Sequence, residues 1–184
     1  MLTIAMLWLP ILVSAVVVWI ISAIVWVAMP HHKKDYAPFP DEDKMRKAIS
    51  EQNVTPGLYS TPFASSNEVM NSPEFKQKMD DGPVAFVTVM PNGMEMGKKL
   101  LSSFIQNLVY AVLIAYIATF TLSADSQFIE VFRLVVMVTW LAYGAAFVQD
   151  AIWFGRPWSV IVKFLFDALL YALATAAIFA WLWV

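Results

Sequence analysis

Four long apolar runs limit what this chain can fold into more than any other feature of its sequence. Residues 2–29 and 100–122 carry no Asp, Glu, Lys or Arg; residues 131–148 carry only Arg133, and residues 158–184 only Lys163 and Asp167. A helix of about 20 apolar residues crosses a hydrocarbon core of about 30 Å, and a chain in lipid must satisfy its own backbone hydrogen bonds. The runs therefore predict an all-α membrane protein with four transmembrane helices, over residues 2–29, 100–122, 129–149 and 157–184.

The composition excludes several other classes of protein. Hydrophobic residues make up 60% of the chain and charged residues 14%, against roughly 25% charged residues in soluble domains. The formal net charge of −2 offers no basic surface for nucleic acid. Because the chain has no cysteine, disulfides, thiolate metal sites and thiol nucleophiles are excluded.

The charges around the runs predict how the chain is inserted. No Lys or Arg precedes the first run, and His-His-Lys-Lys follows it directly, which is typical of a retained anchor rather than a cleaved signal peptide. Nine of the twelve Lys and Arg residues lie between Lys33 and Lys99, Arg156 lies in the third loop, and residues 123–128 contain none. The positive-inside rule then places both termini in the periplasm and residues 30–99 in the cytoplasm.

Residues 30–99 read as a small mixed α/β cytoplasmic domain rather than a linker. Asp41 can cap a helix over residues 42–52, and Ser72 followed by Pro73 is a typical helix start, with Gly82 at the end of that helix. The β-branched and aromatic run at residues 84–90 predicts a strand, with residues 58–63 as a possible partner. Gly57, in Thr-Pro-Gly-Leu, is expected in a turn at a position of positive φ.

Polar residues inside the last run form a stripe. Lys163, Asp167, Tyr171 and Thr175 recur every four residues and so share one helix face, beside a row of small residues, Ala168, Ala172 and Ala176, that would allow close helix packing.

Polar residues of two other helices are expected at a similar depth. Asn107 of the second run and Tyr143 of the third, with Asp150 nearby, complete a predicted intramembrane polar site around Lys163 and Asp167. Intramembrane charges usually face the bundle interior and are paired. One interpretation is structural, with Lys163 neutralising Asp167 and Asn107 and Tyr143 supplying hydrogen bonds. The other is an ion path, proton path or ligand pocket.

In the third loop, Asp150 and Arg156 can pair across the turn.

Chemical motifs are otherwise sparse. His31 and His32, with Asp35 close by in the sequence, are weak metal candidates, because adjacent residues do not share a helix face and no third His or Cys exists. We expect them to be interfacial residues at the exit of the first helix. No phosphate-binding loop, nucleophile elbow or zinc-protease motif occurs. The sequence predicts no enzyme activity, no cofactor and no metal.

Several segments resemble a family of small, uncharacterised bacterial membrane proteins with four spans. The resemblance rests on PHHKKDYAPFPDED, TPGLYSTP, DDGPVAFVTVMP and DAIWFGRPWSVIVKFLFDALLYAL, and it extends over most of the chain. It implies a bacterial inner-membrane location and carries over no activity and no functional residue.

These observations lead to two functional hypotheses. The first is a structural or accessory membrane protein, surrounded by lipid, that forms a homo-oligomer or joins other membrane subunits. The alternative is a small transporter or channel that uses the polar site around Lys163 and Asp167. A membrane-embedded enzyme ranks third, because no nucleophile–base pair is visible.

Overall fold

The computed structural model describes residues 2–93 and 95–184 and is mostly helical. In chain order the elements are α1 (Trp8–Ala23), α2 (Glu42–Glu51), β1 (Gly57–Thr61), α3 (Asn67–Asn71), α4 (Pro73–Asp81), β2 (Ala85–Val89), α5 (Met96–Thr121), α6 (Phe128–Trp140), α7 (Phe147–Phe154) and α8 (Trp158–Trp181). The chain divides into two compact units, a helical unit of residues 1–36 and 95–184 and a smaller unit of residues 37–94.

Four continuous helical stretches of the larger unit are long and apolar enough to cross a membrane. They are Ile4–Ala28, Met96–Thr121, Phe128–Phe154 and Trp158–Trp181. The first joins a 3₁₀ turn, α1 and a π turn (Ile24–Ala28), and the third joins α6, a π turn (Leu141–Ala145) and α7. The third stretch ends at Phe154, five residues beyond the predicted end at residue 149. Asp150 therefore lies within its final turns and not in the loop that follows.

Helix α8 lies at the centre of the helical unit, where it packs against α1, α6 and α7. Its row of small residues is fully buried, with Ala168, Ala172 and Ala176 exposed by 1% or less. Gly144 of the third stretch approaches this row so closely that a Cβ atom there would lie 2.9 Å from the Cβ of Ala168. The small residues therefore determine how near the third and fourth stretches can pack.

The apolar core of the helical unit lies towards the first residues of α1 and the last residues of α8. All four stretches contribute to it, and its buried members are Leu7, Ile11, Ala15, Ala111, Ile114, Ala115, Val131, Val135, Ala176, Phe179 and Ala180. Two tryptophans form hydrogen bonds between helices. Trp19 Nε1 donates to the Leu100 carbonyl, and Trp140 Nε1 donates to the Leu165 carbonyl, each at 3.2 Å.

The smaller unit contains the helices and strands that its sequence predicts. The Asp41 carboxylate accepts from Lys44 N at the start of α2, and the Ser72 hydroxyl accepts from Phe75 N at the start of α4. Helix α4 ends at Gly82, whose φ is 61°. Strands β1 and β2 pair antiparallel.

The expectation for Gly57 is wrong, because the structure places it as the first residue of β1, paired with Val89, and not at a position of positive φ. The unit is also narrower than the predicted 30–99, because residues 30–36 pack with the helical unit.

Candidate functional site

A tight turn after the first helical stretch places two histidines side by side. Pro30 begins a 3₁₀ turn, Pro30–His32, where its missing N–H costs no hydrogen bond. The backbone continues with Lys33 N donating to the Pro30 carbonyl and Asp35 N donating to the His32 carbonyl, each at 3.1 Å. This winding brings His31, His32 and Asp35 to the same side, towards α8.

Asp167 of α8 receives both histidines. Its Oδ1 lies 2.9 Å from Nε2 of His31, and its Oδ2 lies 2.7 Å from Nε2 of His32. The residue is 3% exposed. A buried carboxylate is costly unless it is hydrogen-bonded, and here both of its oxygens have an imidazole partner.

Asp35 forms the second carboxylate of the cluster. Its Oδ2 lies 2.6 Å from Nδ1 of His32, and its Oδ1 accepts from the Lys163 ammonium. Although burial acts to raise the pKa of Asp35, the hydrogen bonds from Lys163 and His32 lower that pKa below its usual value. Asp35 is therefore an ionised link between the turn and α8.

His32 bridges the two carboxylates of the cluster. Both of its ring nitrogens face carboxylate oxygens, whereas a neutral imidazole carries only one N–H. His32 therefore has two carboxylate acceptors, Asp35 on the turn and Asp167 on α8.

Aromatic rings enclose the cluster. Trp26, on the π turn before the histidines, stacks on His32 with ring centroids 4.1 Å apart and an angle of 4° between planes. Phe164 lies 5.7 Å from His32, and the Phe166 ring is edge-on to His31 at 6.5 Å. The side chains of His31 and Lys163 keep 22% and 28% of their surface exposed, so the rings leave the cluster open on that side.

The predicted pairing of Lys163 with Asp167 is wrong. Lys163 contacts Asp35, while Asp167 is satisfied by the two histidines, and among the described residues no hydrogen bond or ion pair joins Lys163 to Asp167. The prediction that Asp167 faces the interior is confirmed by its burial. Asp35 is recognisable in the sequence as a neighbour of the two histidines, but its pairing with Lys163 was not predicted, because Asp35 lies outside the apolar runs.

The other predicted site residues form two separate groups. Tyr143 donates to Oδ1 of Asn107 at 2.8 Å, and its ring lies edge-on to Tyr171 at 5.5 Å. Among the described residues, no hydrogen bond joins Asp167 to Asn107 or to Tyr143. Hydrogen bonds therefore do not join these residues to Asp167, although Tyr171 lies one turn from Asp167 on α8.

Asp150 and Arg156 do lie together across the turn, with Oδ2 and Nε 3.5 Å apart. Gly155, between the end of α7 and Arg156, has the left-handed φ of 67° that a tight turn requires. The Arg156 guanidinium also lies 5.5 Å from the centre of the Phe164 ring. Phe164 thus separates this ion pair from the histidine cluster while contacting both.

His31 and His32 follow the first helical stretch, as expected, but they also contact Asp167, which was not predicted. The spacing argument against them assumed a helix face, but they occupy a 3₁₀ turn, and the third group is an aspartate rather than a His or Cys. One ring nitrogen of each histidine and one carboxylate oxygen of Asp167 all lie within 4.8 Å of one another. These three residues could hold a metal ion. The sequence shows the two parts of this arrangement separately, as adjacent histidines after the first apolar run and an aspartate inside the last one.

No family model, curated protein or solved structure matches this chain. The site is therefore interpreted from its own geometry.

Proposed function

We propose that the chain is a multi-pass membrane protein with a structural or accessory role, which associates with itself or with other membrane subunits. The four apolar helices support insertion. Between 22% and 39% of the most apolar part of each helix is buried within the chain. The large apolar remainder is available to lipid and to neighbouring subunits.

The observation that carries this proposal is the position of the charged cluster relative to the apolar core. Asp167 and its partners lie near the start of α8, and beyond Thr175 the four helices meet in a core of aliphatic and aromatic side chains. Among the described residues, the buried side chains away from the cluster that can form hydrogen bonds are uncharged. Because an ion path needs polar groups through the whole thickness, this arrangement favours a clamp over a conduit.

The cluster acts as a clamp between the first and last helices. His31, His32 and Asp35 follow the first stretch, while Lys163 and Asp167 belong to α8. Removing one member would leave a buried charge or a buried donor unpaired, which is much costlier than losing a surface contact. The clamp would fix the relative position of two helices whose outer faces are available for association.

The proposed setting follows the charge distribution and the resemblance described above. We place the protein in a bacterial inner membrane, with both termini periplasmic and residues 30–99 cytoplasmic, because the Lys and Arg residues cluster there. The charged cluster would then lie in the cytoplasmic half of the membrane.

Association can be tested by native mass spectrometry of the protein extracted from its own membranes in a mild detergent. We expect an assembly of fixed stoichiometry, either a homo-oligomer or a complex with other membrane subunits. A monomer with no stoichiometric partner in two unrelated detergents would overturn the proposal.

The runner-up function, a transporter or channel, is favoured by the buried ionisable Asp167 alone. Proton flux into liposomes separates it from the clamp. We expect the wild type to match Asp167→Asn and protein-free liposomes. Proton flux by the wild type that Asp167→Asn abolishes would establish the runner-up instead.

A further inference from the structure

We propose that His31, His32 and Asp167 bind a first-row divalent metal ion of the Zn²⁺ type, an inference that goes beyond the accessory role. The donor set is two imidazoles and one carboxylate. Nitrogen and oxygen donors of this kind suit Zn²⁺ and its neighbours, whereas Mg²⁺ and Ca²⁺ prefer sites made only of oxygen. Three protein ligands also leave a coordination position free for water.

The distances fit this assignment. Donors bonded to Zn²⁺ at about 2.0–2.2 Å in tetrahedral geometry lie about 3.3–3.5 Å from one another. The histidine nitrogens now lie 2.9 and 2.7 Å from the Asp167 oxygens, at hydrogen-bond distance. One donor atom from each of the three residues lies within 4.8 Å of the others, so each pair is within about 1.5 Å of the tetrahedral spacing, a change that side-chain torsions can supply.

The surroundings of His32 are a second and independent observation. Metal-binding histidines usually donate their other ring N–H to a carboxylate, which fixes the ring and its tautomer. His32 does this through Nδ1, 2.6 Å from Asp35, and the Lys163 ammonium holds Asp35 in turn. The stacked Trp26 fixes the plane of the same ring. A histidine that only lies at the membrane interface, with no ligand to bind, does not need a carboxylate and an aromatic ring to fix its orientation.

The site is also accessible. His32 and Asp167 are buried at 8% and 3% exposure, but the side chain of His31 is 22% exposed. Nδ1 of His31 is buried and has no hydrogen-bond partner among the described residues, so the ring is hydrogen-bonded through Nε2 alone. Rotation of this partly exposed side chain would admit an ion and then complete its coordination.

The test is unusually clean because these are the only two histidines of a chain that lacks cysteine. The protein should be purified with a tag that contains no histidine, stripped with a chelator, and dialysed against Zn²⁺ in detergent. Bound metal is then measured by elemental mass spectrometry. We expect about one Zn²⁺ per chain, retained in the presence of excess Mg²⁺.

Variants locate the bound ion. His31→Ala, His32→Ala and Asp167→Asn should each weaken Zn²⁺ binding by at least 100-fold. Asp35→Asn, which removes a positioning residue, should weaken it about 10–100-fold. Asp150→Asn is the matched control, because Asp150 pairs with Arg156 outside the cluster, and it should bind as the wild type does.

Cobalt keeps the proposal testable if a variant fails to fold. Co²⁺ bound to the wild type should give visible ligand-field absorption that Zn²⁺ abolishes. Asp35→Asn should give the same spectrum at a higher Co²⁺ concentration, since the ligands are unchanged. Absence of stoichiometric Zn²⁺ in the wild type, or equal binding by wild type and Asp167→Asn, would overturn the metal site and leave the accessory role untouched.

Discussion

The partner of Lys163 can be identified by double-mutant cycles, and the result separates the structure from the pairing that the sequence suggested. One cycle combines Lys163→Met with Asp35→Asn, and the other combines Lys163→Met with Asp167→Asn. We expect a large coupling energy in the first cycle and a small one in the second, because Asp35 is the carboxylate that the ammonium contacts in the part of the chain that the structure describes.

The magnitude follows from the surroundings of the pair. Opposite charges about 4 Å apart attract by about 4 kcal/mol at the effective dielectric constant of a protein surface. The Lys163 side chain is 28% exposed while that of Asp35 is 4% exposed, so solvent screening and desolvation remove part of this attraction. A coupling of about 1–3 kcal/mol remains, within the range measured for contacting residues.

The second cycle has a different expectation. Lys163 and Asp167 are four residues apart on α8, and helix pairs at this spacing contribute about 0.2–0.5 kcal/mol. Asp167→Asn alone should still be clearly destabilising, because His31 and His32 lose a charged acceptor. Its cost should simply add to that of Lys163→Met.

The assay is reversible unfolding in mixed micelles, followed by tryptophan fluorescence and far-ultraviolet circular dichroism. A chelator is present throughout, so that metal binding does not enter the comparison. Equal couplings in the two cycles, or a larger coupling between Lys163 and Asp167, would refute the arrangement of the cluster. Full recovery of stability in the Lys163→Met, Asp167→Asn double variant would do the same.

Three further predictions concern packing, topology and the smaller unit. Gly144→Ala should lower the unfolding free energy by about 1–3 kcal/mol, because the added methyl group would overpack against α8. Gly97→Ala is the control in the same unfolding assay; it has open space around it and should be neutral or slightly stabilising. A cysteine at Ser65 should react with an impermeant maleimide only from the cytoplasmic face and one at Ala124 only from the periplasmic face; the opposite pattern would invert the proposed orientation. Ser72→Ala should destabilise α4 by about 1 kcal/mol through loss of the cap on its first turn, seen as faster amide exchange there, and unchanged exchange would contradict this role.

Local chemistry made much of the fold predictable. Apolar length alone located the four long helices, and the capping side chains of Asp41 and Ser72 placed the starts of two short ones. These signals act between residues close in sequence, so no knowledge of tertiary structure is needed. Gly57 was misassigned because a Pro-Gly pair is compatible with a turn or with the start of a strand, and pairing with β2 decides between them.

The cluster could be predicted only in part, because its contacts join distant residues. Asp167 and Lys163 were recognisable as charges within an apolar run, but their partners lie 128–136 residues earlier in the chain. A single sequence gives no information on which residues so far apart in the chain come into contact. The helical periodicity used to pair Lys163 with Asp167 describes neighbours on one helix, and here contacts between helices satisfied both side chains.

The clamp and the metal site are two states of one set of side chains rather than competing structures. In the metal-free state, two hydrogen bonds to Asp167 join the turn after the first helix to α8. An ion held by the same three residues would replace those hydrogen bonds with coordination bonds between the same two elements, while Asp35 and Lys163 keep His32 in place. Metal that binds only the folded state stabilises it by mass action, so it would strengthen the contact between first and last helices without rearranging the bundle. The apolar core beyond Thr175 would stay closed in both states, which is why we assign the ion to the architecture of the protein and not to a path across it.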